Sequence, residues 1–388
     1  MAVRTVRAAG MGLVAAAALI AASFTAPGAV GSESRGLGHQ QTQAAMDAAV
    51  KAGVPGVAAQ VSEAYGRWAG AAGVGDLRTK EPRSAVDRYR IGSMTKTFVA
   101  TVLLQLQAAG KLDLDDKVDT WLPGVVTDNG HDGKQISVRQ LLNHTSGIFS
   151  YTGDPEFLEN GFTEKFLEHR YDTYTPAQLV KIAMSHPPSF QPGAGWSYSN
   201  TNYVLAGMII EKVTGHPYAD EIRQRIIKPL GLYATSVPHT ATTVPEPSSR
   251  AYSKLSLTPQ PTGKTYDVTE LNPSAAGAAG AMISDSGDLT RFYAALFGGK
   301  LLPAAQLKEM KTAVPVGEGL PIDGYGLGLM QTDLSCGVAV WGHGGNIQGS
   351  ASQAVATPDG KHALAFNFNG DWAGDSQAVI EAEYCPKT

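Results

Sequence analysis

A chain of 388 residues with 43% hydrophobic and 17% charged content is long enough to bury a sizeable core, which rules out intrinsic disorder and collagen-like repeats. Lys and Arg total 31 against 35 Asp and Glu, a formal charge of −4 with no basic block, so no nucleic acid is expected as a partner. The 44 Gly and 22 Pro demand many tight turns, which suits a loop-rich enzyme better than a helical bundle.

Arg4 and Arg7 precede an apolar run from Met11 to Phe24, and the small residues Ala29-Val30-Gly31 follow. This is the pattern of a secretory signal peptide over residues 1–31. A spanning helix needs about 20 apolar residues and this run stops at Pro27, so the expectation is a cleaved leader, no stable membrane anchor and a secreted, extracellular, monomeric protein. Apolar spacing then predicts a helix over 44–52 and two strands, 57–62 and 67–72, around a turn at Tyr65-Gly66. A longer helix over 95–109 carries Phe98, Val99, Val102, Leu103 and Leu106 on one face, with Gly110 as its stop. The middle has helical pieces at 138–143, 176–185 and 202–214 and no strand alternation. A Pro/Ser/Thr-rich stretch, 240–261, leads to a helix over 285–297 and to short apolar runs at 325–330, 338–341, 353–356 and 363–368. These runs read as strands of one antiparallel sheet, and a helix over 375–384 closes the chain. The fold class is therefore α/β: an antiparallel sheet built from both chain ends (32–111 and 276–388), flanked by helices, with a mostly helical region (112–275) inserted.

The two cysteines, Cys336 and Cys385, most simply form one disulfide in an exported protein, the alternative being two buried thiols. Closing that loop is worth roughly 4 kcal/mol on a chain-entropy model. Neither Cys-x-x-Cys nor His-Glu-x-x-His occurs, so no metal site is expected.

Three segments carry chemistry. Ser93-Met94-Thr95-Lys96 opens the long helix, where residues three apart share a face and Lys96 reaches the Ser93 hydroxyl beside a positive helix end. About one Ser-x-x-Lys is expected by chance in a chain of this composition, so its setting matters more than its presence. Tyr198-Ser199-Asn200 stands in a turn before the next helix; there a lysine ammonium would favour a Tyr198 phenolate, while helix capping and packing are the plainer alternative. Trp341-Gly342-His343-Gly344-Gly345-Asn346 follows a predicted strand, where glycines allow a substrate to lie along the sheet edge or simply make a turn.

In this order the segments resemble the Ser-x-x-Lys, Tyr-x-Asn and Lys/His-Thr-Gly motifs of the penicillin-recognising serine hydrolases, the family joining exported D-alanyl-D-alanine carboxypeptidases with class C β-lactamases. Gly110 to Asp115, Leu141-Leu142-Asn143-His144-Thr145-Ser146-Gly147, Gln191-Pro192-Gly193 and the cysteine pair are similar to its carboxypeptidase branch. The resemblance covers roughly residues 40–386. It implies that Ser93 attacks a carbonyl, Lys96 and Tyr198 relay the proton to the leaving group, and Asn200 positions the substrate amide. It further implies substrate contacts along His343, Gly344 and Gly345, an oxyanion site at the N–H groups of Ser93 and Asn346, and no metal or organic cofactor. The implied activity is of the D-alanyl-D-alanine carboxypeptidase type, on D-amino-acid peptides of peptidoglycan, with β-lactams as acylating ligands. A D-amino-acid amidase or esterase, or a class C-like β-lactamase, is the alternative, and a non-catalytic β-lactam- or wall-peptide-binding protein a further one. An α/β-hydrolase is excluded because no Gly-x-Ser-x-Gly occurs.

One departure bears on substrate. The family's usual Thr, whose hydroxyl meets a substrate carboxylate, is Gly344 here, and the run from Leu329 to Asp333 offers no cation where relatives place an arginine. Poor turnover of a free C-terminal D-alanine, compared with the matching amide or ester, is the expectation.

Overall fold

Strands from near both ends of the chain pair into one sheet of seven, every neighbour antiparallel. The computed structural model describes residues 39–258 and 261–386, so the expected leader lies outside the described residues. In chain order the sheet strands are β1 (Gly56–Glu63), β2 (Gly66–Gly73), β3 (Gly324–Tyr325), β4 (Met330–Asp333), β5 (Ala339–Ile347), β6 (Ser350–Ala356) and β7 (Ala363–Phe368). They lie side by side as β2-β1-β7-β6-β5-β4-β3. The two chain segments join at β1 and β7, with Val57 opposite Phe368 and Ser62 opposite Ala363.

Five helices position the site: α1 (Gln40–Lys51), α2 (Thr95–Ala108), α3 (Asn200–Thr214), α4 (Ser286–Phe297) and α5 (Ser376–Tyr384). Strand side chains alternate between faces. In β7, Leu364, Phe366 and Phe368 join an apolar cluster with Met46 of α1 and Val379 and Ile380 of α5. Ala363 and Ala365 join the other cluster, with Leu289, Phe292 and Leu296 of α4. Covered on both faces, β7 is buried throughout, which is why it reads as an apolar run rather than an alternation. Cys336 and Cys385 form the expected disulfide, Cα atoms 5.6 Å apart, tying the end of α5 to the β4–β5 turn. Among the described residues no helix is long and apolar enough to cross a membrane.

Several boundaries differ from the sequence pattern. The strand expected at 338–341 runs on to Ile347, so residues 342–346 lie inside β5 and not in a turn. Glycine has little strand propensity, but close backbones require it: a Cβ on Gly342 would stand 2.7 Å from Val355 Cα of β6. The run 325–330 is broken by a reversal in which Gly326 N–H donates to Leu329 O (2.7 Å) and Gly328 takes φ +72°. In the middle region Tyr252–Ser253 pairs with Tyr266–Asp267, a ladder too short to show a period of two. The long helix α2 is buried on all sides from Thr95 to Leu104, as befits a helix at the centre of the molecule, whereas its spacing suggested one apolar face.

Candidate active site

Ser93 sits in a single 3₁₀ turn, Gly92–Met94, that runs directly into α2. Gly92 takes φ +50°, and a Cβ there would lie 2.9 Å from both N and O of Asn346. A Cβ on Gly345 would likewise press on the Ile91 carbonyl, 2.9 Å from its carbon. The turn bearing Ser93 therefore lies flush against β5, and Ser93 and Asn346 line the same cleft.

Lys96, fully buried on the first turn of α2, places Nζ 3.0 Å from Ser93 Oγ, 2.7 Å from Asn200 Oδ1 and 2.7 Å from Ala279 O. Burial holds its pKa well below that of an ordinary lysine, and none of these partners is a carboxylate. A neutral amine has two N–H donors and one lone pair. Asn200 Oδ1 and Ala279 O can only accept, so they take both donors and leave the lone pair to the Ser93 hydroxyl. In that state the Lys96 lone pair is placed to accept the Ser93 hydroxyl proton.

Lys96 Nζ also stands 4.8 Å from the Tyr198 ring centroid. The Tyr198 ring is partly exposed, but its hydroxyl is buried and lacks a partner in hydrogen-bond geometry among the described residues. Burial pushes its pKa above the ordinary tyrosine value, with nearby Ser93 pulling the other way. The phenolate expected beside an ammonium is disfavoured, because burial favours the uncharged form of both groups. Asn200 is the first residue of α3 rather than part of a turn before it. Helix capping does not account for it, because its side chain is turned to Lys96 and, through Nδ2, to Thr152 Oγ1 at 3.1 Å.

In the third segment His343 is buried, with Nδ1 2.5 Å from Gly344 O and Nε2 2.8 Å from Tyr325 Oη. The first contact places the ring proton on Nδ1, so Tyr325 donates to Nε2. Burial, reinforced by Lys96 and opposed by the Gly344 carbonyl, drives the His343 pKa down to about 3. The atoms nearest to where a Cβ of Gly344 would stand are those of the Gln353 side-chain amide.

Two residues to which the sequence reading gave no role pack against this group of side chains. Tyr325 fixes the His343 tautomer, and nothing in its surroundings along the chain marks it. His144, within the segment similar to the carboxypeptidase branch, lies tilted against the Tyr198 ring, centroids 4.3 Å apart, and accepts at Nδ1 from Ser199 N–H and Asn202 Nδ2, each 3.2 Å away. Burial, with Lys96 and His343, holds its pKa well below the usual imidazole value. The buried groups around Ser93 are therefore uncharged in their favoured forms.

The cleft in front of Ser93 encloses about 850 Å³ including its open mouth. Its lining combines polar groups, among them Thr152, Asn200, Asn346 and Gln348, with the apolar Phe157, Phe162, Phe166, Tyr174 and Leu271. Arg170, also in the lining, donates to Asp267 O at 3.4 Å and lies over the Tyr171 ring. None of these residues belongs to a cluster of metal-binding side chains.

Residues 40–381 match a family model described as Beta-lactamase. The chain is 29% identical over 319 residues to penicillin-binding protein 4* of Bacillus subtilis, covering 80% of this chain and 67% of that one. Among solved structures, a D-stereospecific amidohydrolase from Streptomyces sp. is similar at 61% identity and TM-score 0.86, over 90% of this chain and 99% of that one. The D-amino acid amidase of Ochrobactrum anthropi, complexed with D-phenylalanine, is 31% identical with TM-score 0.76, over 88% and 97%. With nearly the whole described chain matched and a serine–lysine pair at its cleft, the protein belongs to the beta-lactamase family and is a serine hydrolase of that family.

Proposed function

We propose that the protein hydrolyses D-amino-acyl amides, with the matching esters and short D-peptides, through an acyl-enzyme on Ser93. The observation that carries this reading is the uncharged third segment. Gly344 offers no hydroxyl, His343 is neutral above about pH 3, and β4 presents Met330 and Gln331. A carboxylate leaving group thus loses two donors, each worth roughly 1.5–3 kcal/mol, or together roughly 10²- to 10⁴-fold in rate, whereas a neutral amide loses neither. The likeness to an amidohydrolase and an amidase, both acting on the D series by name, supports the same substrate class.

In the proposed cycle Lys96 takes the Ser93 proton as Oγ attacks the carbonyl. The N–H groups of Ser93 and Asn346 receive the developing oxyanion. The Tyr198 hydroxyl gives its proton to the departing amine and recovers one from Lys96, leaving both groups neutral again. Water then resolves the ester by the reverse relay. Asn200 holds Lys96 in place and faces the substrate. The reading includes acylation by β-lactams, a monomer, and export after loss of residues 1–31, which the disulfide supports. D-alanyl-D-alanine carboxypeptidase activity is the weaker reading.

The test is kcat/KM for D-phenylalanine amide, L-phenylalanine amide and an N-acyl-D-alanyl-D-alanine, with Ser93→Ala as control. The D-amide should be turned over at least 100-fold better than the other two, and not by the variant. Equal rates on amide and carboxylate overturn the substrate class; full activity in Ser93→Ala overturns the mechanism.

A further inference from the structure

The cleft in front of Ser93 ends at a contact that the proposed cycle does not use. β4 pairs with β5 only as far as Gly342, so from His343 onward that edge of β5 carries no strand. Ile347 and Ser350 flank the two-residue turn Gln348-Gly349 and exchange the hydrogen bonds that close the β5–β6 hairpin. The next pair, Asn346 and Ala351, does not. The N–H and carbonyl of Asn346 therefore turn to the open edge, where Gly92 of the Ser93 turn meets them.

That edge has two ends. Tyr198 and His343 stand near one, ring centroids 6.3 Å apart, and neither lines the cleft. Ser93, Asn346, Ile347 and Gln348 all line it. A leaving group protonated by Tyr198 departs at the first end, so the acyl group of the substrate lies at the second, inside the cleft. There Gln348 reaches across to Gly161, with Nε2 donating to the carbonyl at 2.7 Å. Gly161 is in the last turn of the helix Pro155–Phe162, whose final carbonyls have no partner within the helix. Next to this bridge is a second cavity of about 1230 Å³ including its open mouth. Phe162, Asn346, Ile347 and Gln348 line both spaces, whereas Gly161 lines only the first. Gln348 stands two residues past Asn346, a reach of about 7 Å in extended chain, which is where the second residue of an acyl group would continue.

We propose that the Gln348–Gly161 bridge closes the acyl side of the cleft after one residue, which makes Gln348 a specificity-determining residue. The enzyme then releases single D-residues from the amino end of D-peptides and their amides. This rests on the D-aminoacyl reading above and narrows it. Selectivity of this kind comes from obstructing the longer acyl group, not from added contact with the shorter one. The bridge sets no limit on the leaving group, which lies on the other side of Ser93.

D-phenylalanyl-D-alanine amide tests this within one molecule, because its two bonds compete for Ser93. Hydrolysis of the peptide bond needs a one-residue acyl group and gives D-phenylalanine and D-alanine amide. Hydrolysis of the terminal amide needs a two-residue acyl group and gives the intact dipeptide and ammonia. Initial rates in the full-length protein should favour D-phenylalanine over the dipeptide by at least about 50-fold. Gln348 is half-buried, so Gln348→Ala should fold, which the thermal midpoint checks. It removes the bridge and should shift the product ratio toward the dipeptide by at least about tenfold. Gln348→Met keeps the length but cannot donate, and should shift the ratio in the same direction. A purely structural Gln348 would lower both products together and leave their ratio alone. Comparable rates of both products in the parent protein, or an unchanged ratio in either variant, overturns the proposal while hydrolysis of D-phenylalanine amide stands. No hydrolysis of D-phenylalanine amide by the parent overturns the D-aminoacyl reading, and the proposal with it.

Discussion

Replacing Gly345 by alanine tests how the nucleophile is held. The new methyl would lie 2.9 Å from the Ile91 carbonyl carbon, nearer still to its oxygen, and 3.2 Å from Ser352 Oγ. Ile91 stands two residues before Ser93, and its carbonyl accepts from Met94 N–H at 3.3 Å. The obstacle is backbone, so no rotamer change relieves it. Restoring ordinary van der Waals contact with that oxygen, from 3.4 Å upward, means parting the turn and β5 by about 1.5 Å. Overpacking of this kind costs about 1–3 kcal/mol, and a displacement of about 1 Å at a reacting group costs about 10²-fold in rate. Steady-state hydrolysis of D-phenylalanine amide and the thermal midpoint should both be measured, beside Gly66→Ala, where nothing lies within 4 Å of the new methyl. The expected result is a kcat about 100-fold lower in Gly345→Ala, with a midpoint a few degrees down, and a stability change under about 0.5 kcal/mol in Gly66→Ala. A folded Gly345→Ala protein with kcat within threefold of the parent refutes the idea that this contact sets the position of Ser93.

Three other outcomes follow from the same geometry. Because the pKa of Lys96 is lowered, the active amine is present above that lowered value and lost as pH falls through it. kcat/KM should therefore decline on the acid side well below 10.5; Lys96→Arg, permanently charged, should lose about 10²- to 10⁴-fold, and an acid limb at 10.5 contradicts the base assignment. In Gly344→Thr the atoms nearest the new Cβ belong to the flexible end of Gln353, Nε2 at 2.7 Å, which can yield, and the variant should raise kcat/KM for a D-alanyl-D-alanine carboxylate relative to the amide by about 10- to 100-fold; an unchanged ratio counts against the leaving-group argument. Tyr325→Phe removes the hydroxyl from His343 Nε2 and leaves a buried nitrogen unpaired, which should cost about 1–3 kcal/mol in urea unfolding; unaltered stability refutes a stabilising Tyr325–His343 hydrogen bond.

The sheet and the three candidate site segments were legible because each depends on short-range pattern. Ser93 and Lys96 are three apart on a helix, and 363–368 is an apolar run bounded by turns. The extent of β5 was not legible, since its glycines answer to β6 and to the Ser93 turn, both distant in sequence. Charge states were misread for a related reason: Lys96 beside Tyr198 looks like a cation beside a phenol until burial is known, and burial outweighs the pair attraction. Tyr325 and Ala279 act through one hydroxyl and one carbonyl, groups present in every tyrosine and every residue, so no local signal distinguishes them.

The pairing of β1 with β7 fixes the order in which the molecule can assemble. The β1–β2 hairpin is local and can close early, but the other edge of β1 finds its partner only when residues some 300 positions later are available. At a synthesis rate of about 5–20 residues per second, that edge stays open for roughly 15–60 s. During that interval an unpaired apolar strand is a template for other chains. Chains cut short before Ala363 keep that edge permanently, so truncation from the C-terminal side should yield aggregates rather than a smaller folded enzyme.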